Sequence, residues 1–297
     1  MFRKVRFGDW LLLTGLIVLW GSSFAMTKIA VASMGPAWVM ALRLVVAAIV
    51  LLPIAIVSGR SFAVSNKVWG KFAWLAAVGH ALPFFLISWG TQFISSGVSG
   101  ILMGAIPLFV VVLAHLYLAD ERLTAMKALG FVIGFCGLLY LMGPSELLAI
   151  TSAGDELVGQ LAVIGGCVSY SIHAVSAKRL GMEDPILQTT AVCALGAVMG
   201  LAAAILAEPA GLTNATPAAV WSVIGLGLLP TAAASLLMYA MMARTGPSFI
   251  SYSNYLVPVY ALFFGAAALG EQLNARVFVA LGLILIGIAV SRISMRA

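Results

Sequence analysis

The sequence predicts an all-α membrane protein: ten transmembrane helices in two inverted five-helix repeats, residues 1–150 and 151–297, with both termini cytoplasmic. Three observations carry that expectation. Hydrophobic residues make up 63% of the 297 and charged residues only 9%, with a mean hydropathy of +1.11, far from the composition of a soluble domain. Ten apolar stretches follow one another at 9–32, 36–58, 69–92, 97–118, 126–143, 157–180, 185–207, 217–241, 248–270 and 275–293, each close to the roughly 20 residues that cross a bilayer as a helix. They stay apolar without alternating at period two, which favours helices over a barrel. Positive charge is one-sided. Of the 16 Lys and Arg residues, thirteen fall on the side of the N-terminus: Arg3, Lys4, Arg6, Arg60, Lys67, Lys71, Arg122, Lys127, Lys178, Arg179, Arg244, Arg292 and Arg296. Only Arg276 falls opposite, while Lys28 and Arg43 lie inside apolar stretches. Short cytoplasmic loops retain Lys and Arg, and a missed or invented span would have put the later charges on the wrong side.

Each stretch reads as a helix for its own reasons. The first follows Arg3-Lys4-Val5-Arg6 and contains Ala30-Val31-Ala32, imitating a signal peptide. Its apolar run is too long for that, so it reads as an uncleaved helix. The third holds His80 and Pro83, and the fourth carries Pro107 near its middle. Thr124 opens the fifth as an N-cap, as Asn274 opens the tenth. The sixth closes on Lys178-Arg179, and the ninth carries Pro258 near its middle. Glycines at GxxxG spacing (Gly100/Gly104, Gly130/Gly134, Gly196/Gly200) predict close helix packing.

The formal charge of +6 reads as membrane orientation, because the basic residues are scattered over several segments and form no single face for nucleic acid. The expected partners are the lipid bilayer and a small-molecule substrate, and a monomer suffices. Cys136, Cys167 and Cys193 have no CxxC spacing and no paired His, so they read as packing residues, without metal or disulfide. Walker A, HExxH and GxSxG segments are absent from the sequence, so no cofactor and no enzyme activity is expected.

The two halves repeat at a constant offset. Glu121, Leu123 and Thr124 match Glu271, Leu273 and Asn274 at 150; Lys28 matches Lys178 at 150, and Pro107 matches Pro258 at 151. Five spans per half is an odd number, so the second copy enters the membrane upside down. Inverted repeats give two near-equivalent conformations, one open to each side, and are a transporter architecture.

Leu19-Trp20-Gly21-Ser22-Ser23-Phe24, then Lys28, Pro36 and Arg43, resembles the opening of the drug/metabolite transporter superfamily, EamA type. Ile106-Pro107-Leu108 with Asp120-Glu121-Arg122-Leu123, Gly130 and Gly137 is similar too, as are Val257-Pro258-Val259 and Gly270-Glu271-Gln272-Leu273 with Gly282 and Gly287. The resemblance covers essentially the whole chain. It implies ten helices, cytoplasmic termini and export of small metabolites from a bacterial inner membrane. Within the family the chain looks most like the YddG-type exporters of aromatic amino acids. Tyr170-Ser171 replaces the Trp-Gly of the first half, a departure from strict symmetry.

Pro107 and Pro258 are candidate hinges, since a mid-helix proline removes a backbone hydrogen bond; alternatively they are static kinks. His80, and less centrally His173, could bind a substrate carboxylate or carry a proton, or simply bridge helices. Trp20, Trp89, Tyr170, Tyr239, Tyr252 and Tyr255 are candidate stacking walls or packing residues. Ser22 and Ser23 open space beside Trp20. The run from Ser248 to Tyr255, with Asn254, reads as a wetted binding face or as interhelical glue. Lys28 and Arg43 are expected toward the outer face, either snorkelling or, as the resemblance implies, in a conformation-dependent ion pair or a lipid contact. Glu121 and Glu271 read as structural. A central cavity lined by helices 1, 3, 4, 6, 8 and 9 is expected. Two rivals stay open: a sugar-phosphate or nucleotide-sugar translocator, and, more remotely, a membrane-embedded enzyme.

Overall fold

The structure, a computed structural model, describes residues 6–119, 121, 123–143, 154–181 and 184–293. The basic residues Arg3, Lys4 and Arg296, the motif residues Asp120 and Arg122, and the boundary at 150–151 lie outside the described residues. Among the described residues there is no strand. Among these residues, eight helices are long and apolar enough to cross a membrane: α1 (Phe7–Val31), α2 (Pro36–Val57), α3 (Asn66–Thr91), α4 (Ser96–Tyr117), α5 (Ala125–Met142), α6 (Asp155–Leu180), α7 (Pro185–Ala207) and α8 (Pro217–Thr245). Two shorter apolar helices follow, α9 (Ser253–Leu269) and α10 (Ala275–Ser291).

Local chemistry sets the ends. Pro36, Pro185 and Pro217 open α2, α7 and α8, where a missing N–H costs nothing. The side chains of Ser95, Thr124, Asp184, Thr216 and Asn274 accept from the first free amides of α4, α5, α7, α8 and α10. Gly143, Gly181, Gly246 and Gly270 end α5, α6, α8 and α9 with positive φ.

Helix pairs are held together by small residues. α2 runs antiparallel to α7, with Gly200 against Met40 and Ala41, and Gly196 against Leu44. α4 runs antiparallel to α9, with Gly97 on Leu262 and Gly104 on Pro258. α5 runs antiparallel to α10, with Gly130 against Gly287 and Gly137 against Ala280 and Leu283. α3 is antiparallel to α6, as α8 is to α1. Two pairs run parallel: α1 with α9 and the turn Pro247–Ile250 that precedes it, through Gly21–Tyr260 and Trp10–Phe249, and α6 with α4, through Cys167–Leu102 and Ser171–Ile106. The contacts form a closed circuit, α6–α4–α9–α1–α8–α2–α7–α3 and back to α6, with α5 and α10 outside α4 and α9.

Four helices are irregular, each beside a proline. α3 widens to a π turn at Ala77–Ala81 and α8 at Gly227–Ala233, positions that match at an offset of 150. Pro83 has no N–H for the Gly79 or Val78 carbonyl, and Ser169 Oγ of α6 donates to the Val78 carbonyl at 2.7 Å. Pro230 likewise leaves the Leu226 carbonyl free, and Thr231 Oγ1 donates to it at 2.7 Å. α4 breaks at Gly104–Ala105, placing Pro107 in the first turn of its second piece, Ile106–Tyr117. The ninth apolar stretch was expected as one helix from 248. Instead a short turn, Pro247–Ile250, is followed by a break at Ser251–Tyr252, and Pro258 sits inside the continuous α9. The two prolines are therefore not in equivalent settings.

Candidate functional site

Polar and aromatic side chains gather where the circuit encloses them. Arg43 of α2 is only partly buried although protein surrounds it. Its guanidinium lies over the Phe84 ring of α3, 3.8 Å from the centroid, and its Nε donates to Thr231 Oγ1 in the π turn of α8 at 2.7 Å. Phe84 meets His80 edge-on at 5.5 Å and Tyr170 at 6.1 Å. His80 in turn meets His173 at 6.1 Å. His80 sits in the π turn of α3, and its Nδ1 is buried without a hydrogen-bond partner. The His173 Nδ1 lies 3.3 Å from the Leu75 carbonyl; it can approach because Gly79, beside it, has no Cβ.

The hollows found among the described residues do not form one central cavity. A small hollow of about 90 Å³ lies between α1, α4 and α9, bordered by Trp20, Met103, Pro107, Asn254 and Pro258. Four residues that the sequence singled out (Trp20, Pro107, Asn254 and Pro258) thus meet at one point. Asn254 is the residue four before Pro258 inside α9, so its carbonyl loses a helical donor. This hollow is below the roughly 300 Å³ of ordinary small-molecule sites. The reason is apolar closure beside it: Leu13, Leu16 and Ile17 of α1 pack on Ala234, Met241, Phe249 and Ile250. A larger cavity, about 740 Å³, lies at the Lys/Arg-rich end between α3, α4 and α6. Trp74, Tyr117, Ser176, Lys71 and Arg179 border it. The Trp74 indole N–H donates to Ser176 Oγ at 3.1 Å.

Other expected site residues fall elsewhere. Ser22 and Ser23 are buried and spend their hydroxyl protons on the Leu19 and Trp20 carbonyls. Trp89 packs on Phe93 at 4.9 Å near the far end of α3. The Tyr239 hydroxyl is 2.6 Å from Thr189 Oγ1, joining α8 to α7. Tyr252 is 46% exposed and clusters with Trp10 and Phe249 at the start of α1, so it forms no wall of the interior. Tyr255 packs against the apolar core that α4, α9 and α10 share.

The charged residues differ most from expectation. Neither Lys28 nor Arg43 snorkels to the surface. Lys28 Nζ donates to the carbonyls of Thr91, Gln92 and Ile94 and so fastens α1 to the end of α3. Arg43 turns inward because Phe84 and Thr231 offer it a ring face and an acceptor. Glu271 accepts from the Ser96 and Gly97 amides at 2.6 and 3.0 Å and from Ser96 Oγ at 3.0 Å, capping α4 from the α9–α10 connection. Glu121 pairs with Lys127 and Lys178, each at 3.2 Å, and hydrogen bonds from these two ammonium groups hold its carboxyl below the ordinary carboxylate range. The sequence reading missed Arg43 as an interior residue. The available sign was an arginine two helical turns beyond Pro36 with apolar chain on both sides, since an ionisable group at such depth is kept for a purpose.

The model of the EamA-like transporter family matches this chain twice, over residues 6–143 and 157–293. The transporter YoaV of Bacillus subtilis is 28% identical over 91% of this chain and 92% of its own length. A transporter of Archaeoglobus fulgidus is 26% identical over 94% and 96%. The S-adenosylmethionine/S-adenosylhomocysteine transporter of Chlamydia trachomatis is 26% identical over 91% of this chain and 84% of its own. A solved crystal structure superimposes with a TM-score of 0.69 at 20% identity, covering 99% of this chain and all of that one, which speaks for the fold alone.

Proposed function

Because the chain belongs to the EamA-like transporter family, we propose that it exports small amphipathic metabolites across a bacterial inner membrane by alternating access. Its substrates on this reading are amino acids, preferentially those carrying a flat ring. Residues 1–150 and 151–297 act as two inverted five-helix repeats, and the Lys/Arg-rich end faces the cytoplasm.

The helix circuit carries the reading. Advance every label by five, α1 to α6 through α5 to α10 and onward, and the same pairs return. Equivalent helices (α2 with α7, α4 with α9, α5 with α10) meet antiparallel, as copies related by inversion must. Such a molecule has two conformations of similar energy, one open to each side. The 740 Å³ cavity lies at the end assigned to the cytoplasm, while Lys28 and Glu271 fasten α3 and α4 at the opposite end. This corresponds to an inward-facing arrangement. The ring-bearing preference rests on the Phe84, Tyr170 and His80 cluster beside Arg43. A relative named for an adenosyl amino acid has the same combination of flat ring and zwitterion in its substrate.

Counterflow in liposomes containing the full chain tests the proposal, with tryptophan, phenylalanine, S-adenosylmethionine, threonine and a sugar phosphate as solutes. Accumulation of ring-bearing amino acids above protein-free liposomes is the expected result. Accumulation of sugar phosphate alone, or of nothing, overturns it.

A further inference from the structure

We propose that Arg43 is the carboxylate anchor of the transport site, so that substrates are selected for a free carboxylate next to a flat apolar body. This rests on the transporter reading above and deepens it. Arg43 lies seven residues beyond Pro36, about 10 Å along α2 at 1.5 Å per residue. There its side chain passes between α2, α3 and α8 and does not reach for the surface.

The argument is one of unbalanced charge and unused donors. Arginine stays protonated in proteins and carries five N–H groups. Among the described residues, only its Nε–H has a protein acceptor, Thr231 Oγ1. None of the described carboxylates pairs with it: the ion pairs found join Arg60 to Asp184, and Lys127 and Lys178 to Glu121. The remaining described carboxylates, Asp9, Asp155, Glu156, Glu208 and Glu271, lie at helix ends or in connections. A cation enclosed by protein without an anion is costly, so this one is built to be neutralised from outside. Thr231 fixes the Nε side and Phe84 holds one face of the guanidinium plane, leaving the two terminal nitrogens as a fork. Such a fork matches the two oxygens of a carboxylate. Arg43 is not sealed in, as it retains accessible surface. Around it Phe84, Tyr170 and His80 provide ring edges and faces for the remainder of a ligand.

The test compares tryptophan with tryptophanamide, which has the same ring and amine but no carboxylate, on the purified full-length protein. Thermal stabilisation and competition are read in detergent, and counterflow in liposomes. Wild type is expected to favour tryptophan over the amide by at least about tenfold, as befits charge-assisted hydrogen bonds. Arg43→Met should bind the two equally, Arg43→Lys should recover part of the preference, and Thr231→Ala should weaken tryptophan several-fold through loss of positioning. If Arg43→Met does not fold, the wild-type comparison decides: equal protection by acid and amide overturns the proposal. Protection by chloride alone, with no competition from tryptophan, overturns it too, since the anion would then be inorganic. Counterflow with preference for the acid surviving in Arg43→Met sinks the anchor and leaves the transporter standing. Absence of binding and of flux for every solute removes both.

Discussion

Thr231 stands 2.7 Å from the Nε of Arg43 and 2.7 Å from the Leu226 carbonyl, so one hydroxyl both orients a cation and repairs a helix. It accepts from the first and donates to the second. The repair is needed because Pro230, one residue earlier, has no N–H to give.

Replacing Thr231 by valine keeps its shape and removes both bonds. A buried carbonyl and a guanidinium N–H are then unpaired, which costs about 1–3 kcal/mol for a group with no substitute partner. Thermal unfolding in detergent should show the loss, and Thr231→Ser should restore most of it.

Gly287 offers a sharper packing test. A methyl there would meet the backbone of Gly130 and Gly134, which cannot step aside as a side-chain tip can. Gly287→Ala should force α5 and α10 apart and destabilise by about 1–3 kcal/mol. Gly282, five residues earlier on α10, has open space at the same test, and Gly282→Ala should be neutral or slightly stabilising. Folded yield and melting temperature of the two variants compare them directly.

Acidification should act at Glu121. Its folded pKa is held below its unfolded value by hydrogen bonds to Lys127 and Lys178. The pairs therefore contribute above the unfolded value, about 4.3, and the contribution is lost as pH falls through the lower folded value. Both partners are partly exposed, so the effect is small. Wild type and Glu121→Gln should differ slightly in melting temperature at neutral pH and converge toward pH 3. Glu271→Gln, which weakens a charged cap on two backbone amides, should cost more at neutral pH, about 1–2 kcal/mol.

Pro107 and Pro258 should respond differently to alanine. Pro107 is in the first turn of a helix piece, where its lack of an N–H matters little. Pro258 is inside α9 and leaves the Asn254 carbonyl without a helical donor. Pro258→Ala should straighten α9 and shift spin-label distances between α9 and α4, slowing flux, while Pro107→Ala should change either one less. Equal effects of the two would count against the unequal setting.

Much of the fold was legible in the sequence. Thr124 and Asn274 cap the helices they were expected to cap, and the glycine spacings fall at the close helix pairs. These are local rules, or rules of one helix surface. Trp20, Pro107, Asn254 and Pro258 border one hollow, because α1, α4 and α9 pack against one another there. What failed depends on which helix stands opposite. Tyr252 looked like a wall residue, yet a break before Ser253 turns it toward Trp10. Arg43 looked superficial from its distance to Pro36, and only the arrival of α8's π turn beside α2 makes it central. The π turns themselves left no sign beyond Pro83 and Pro230.

The seam where Gly130, Gly134 and Gly287 bring α5 and α10 backbone to backbone bears on how the molecule could be assembled. Main chain in contact with main chain is a shape that lipid tails fill poorly, so each surface prefers the other to bilayer. Two separately synthesised polypeptides, one ending after α5 and the other starting before α6, would then find each other within the membrane. A severed gene co-expressed as two pieces should yield one working particle, and methyl groups along that seam should prevent the reunion.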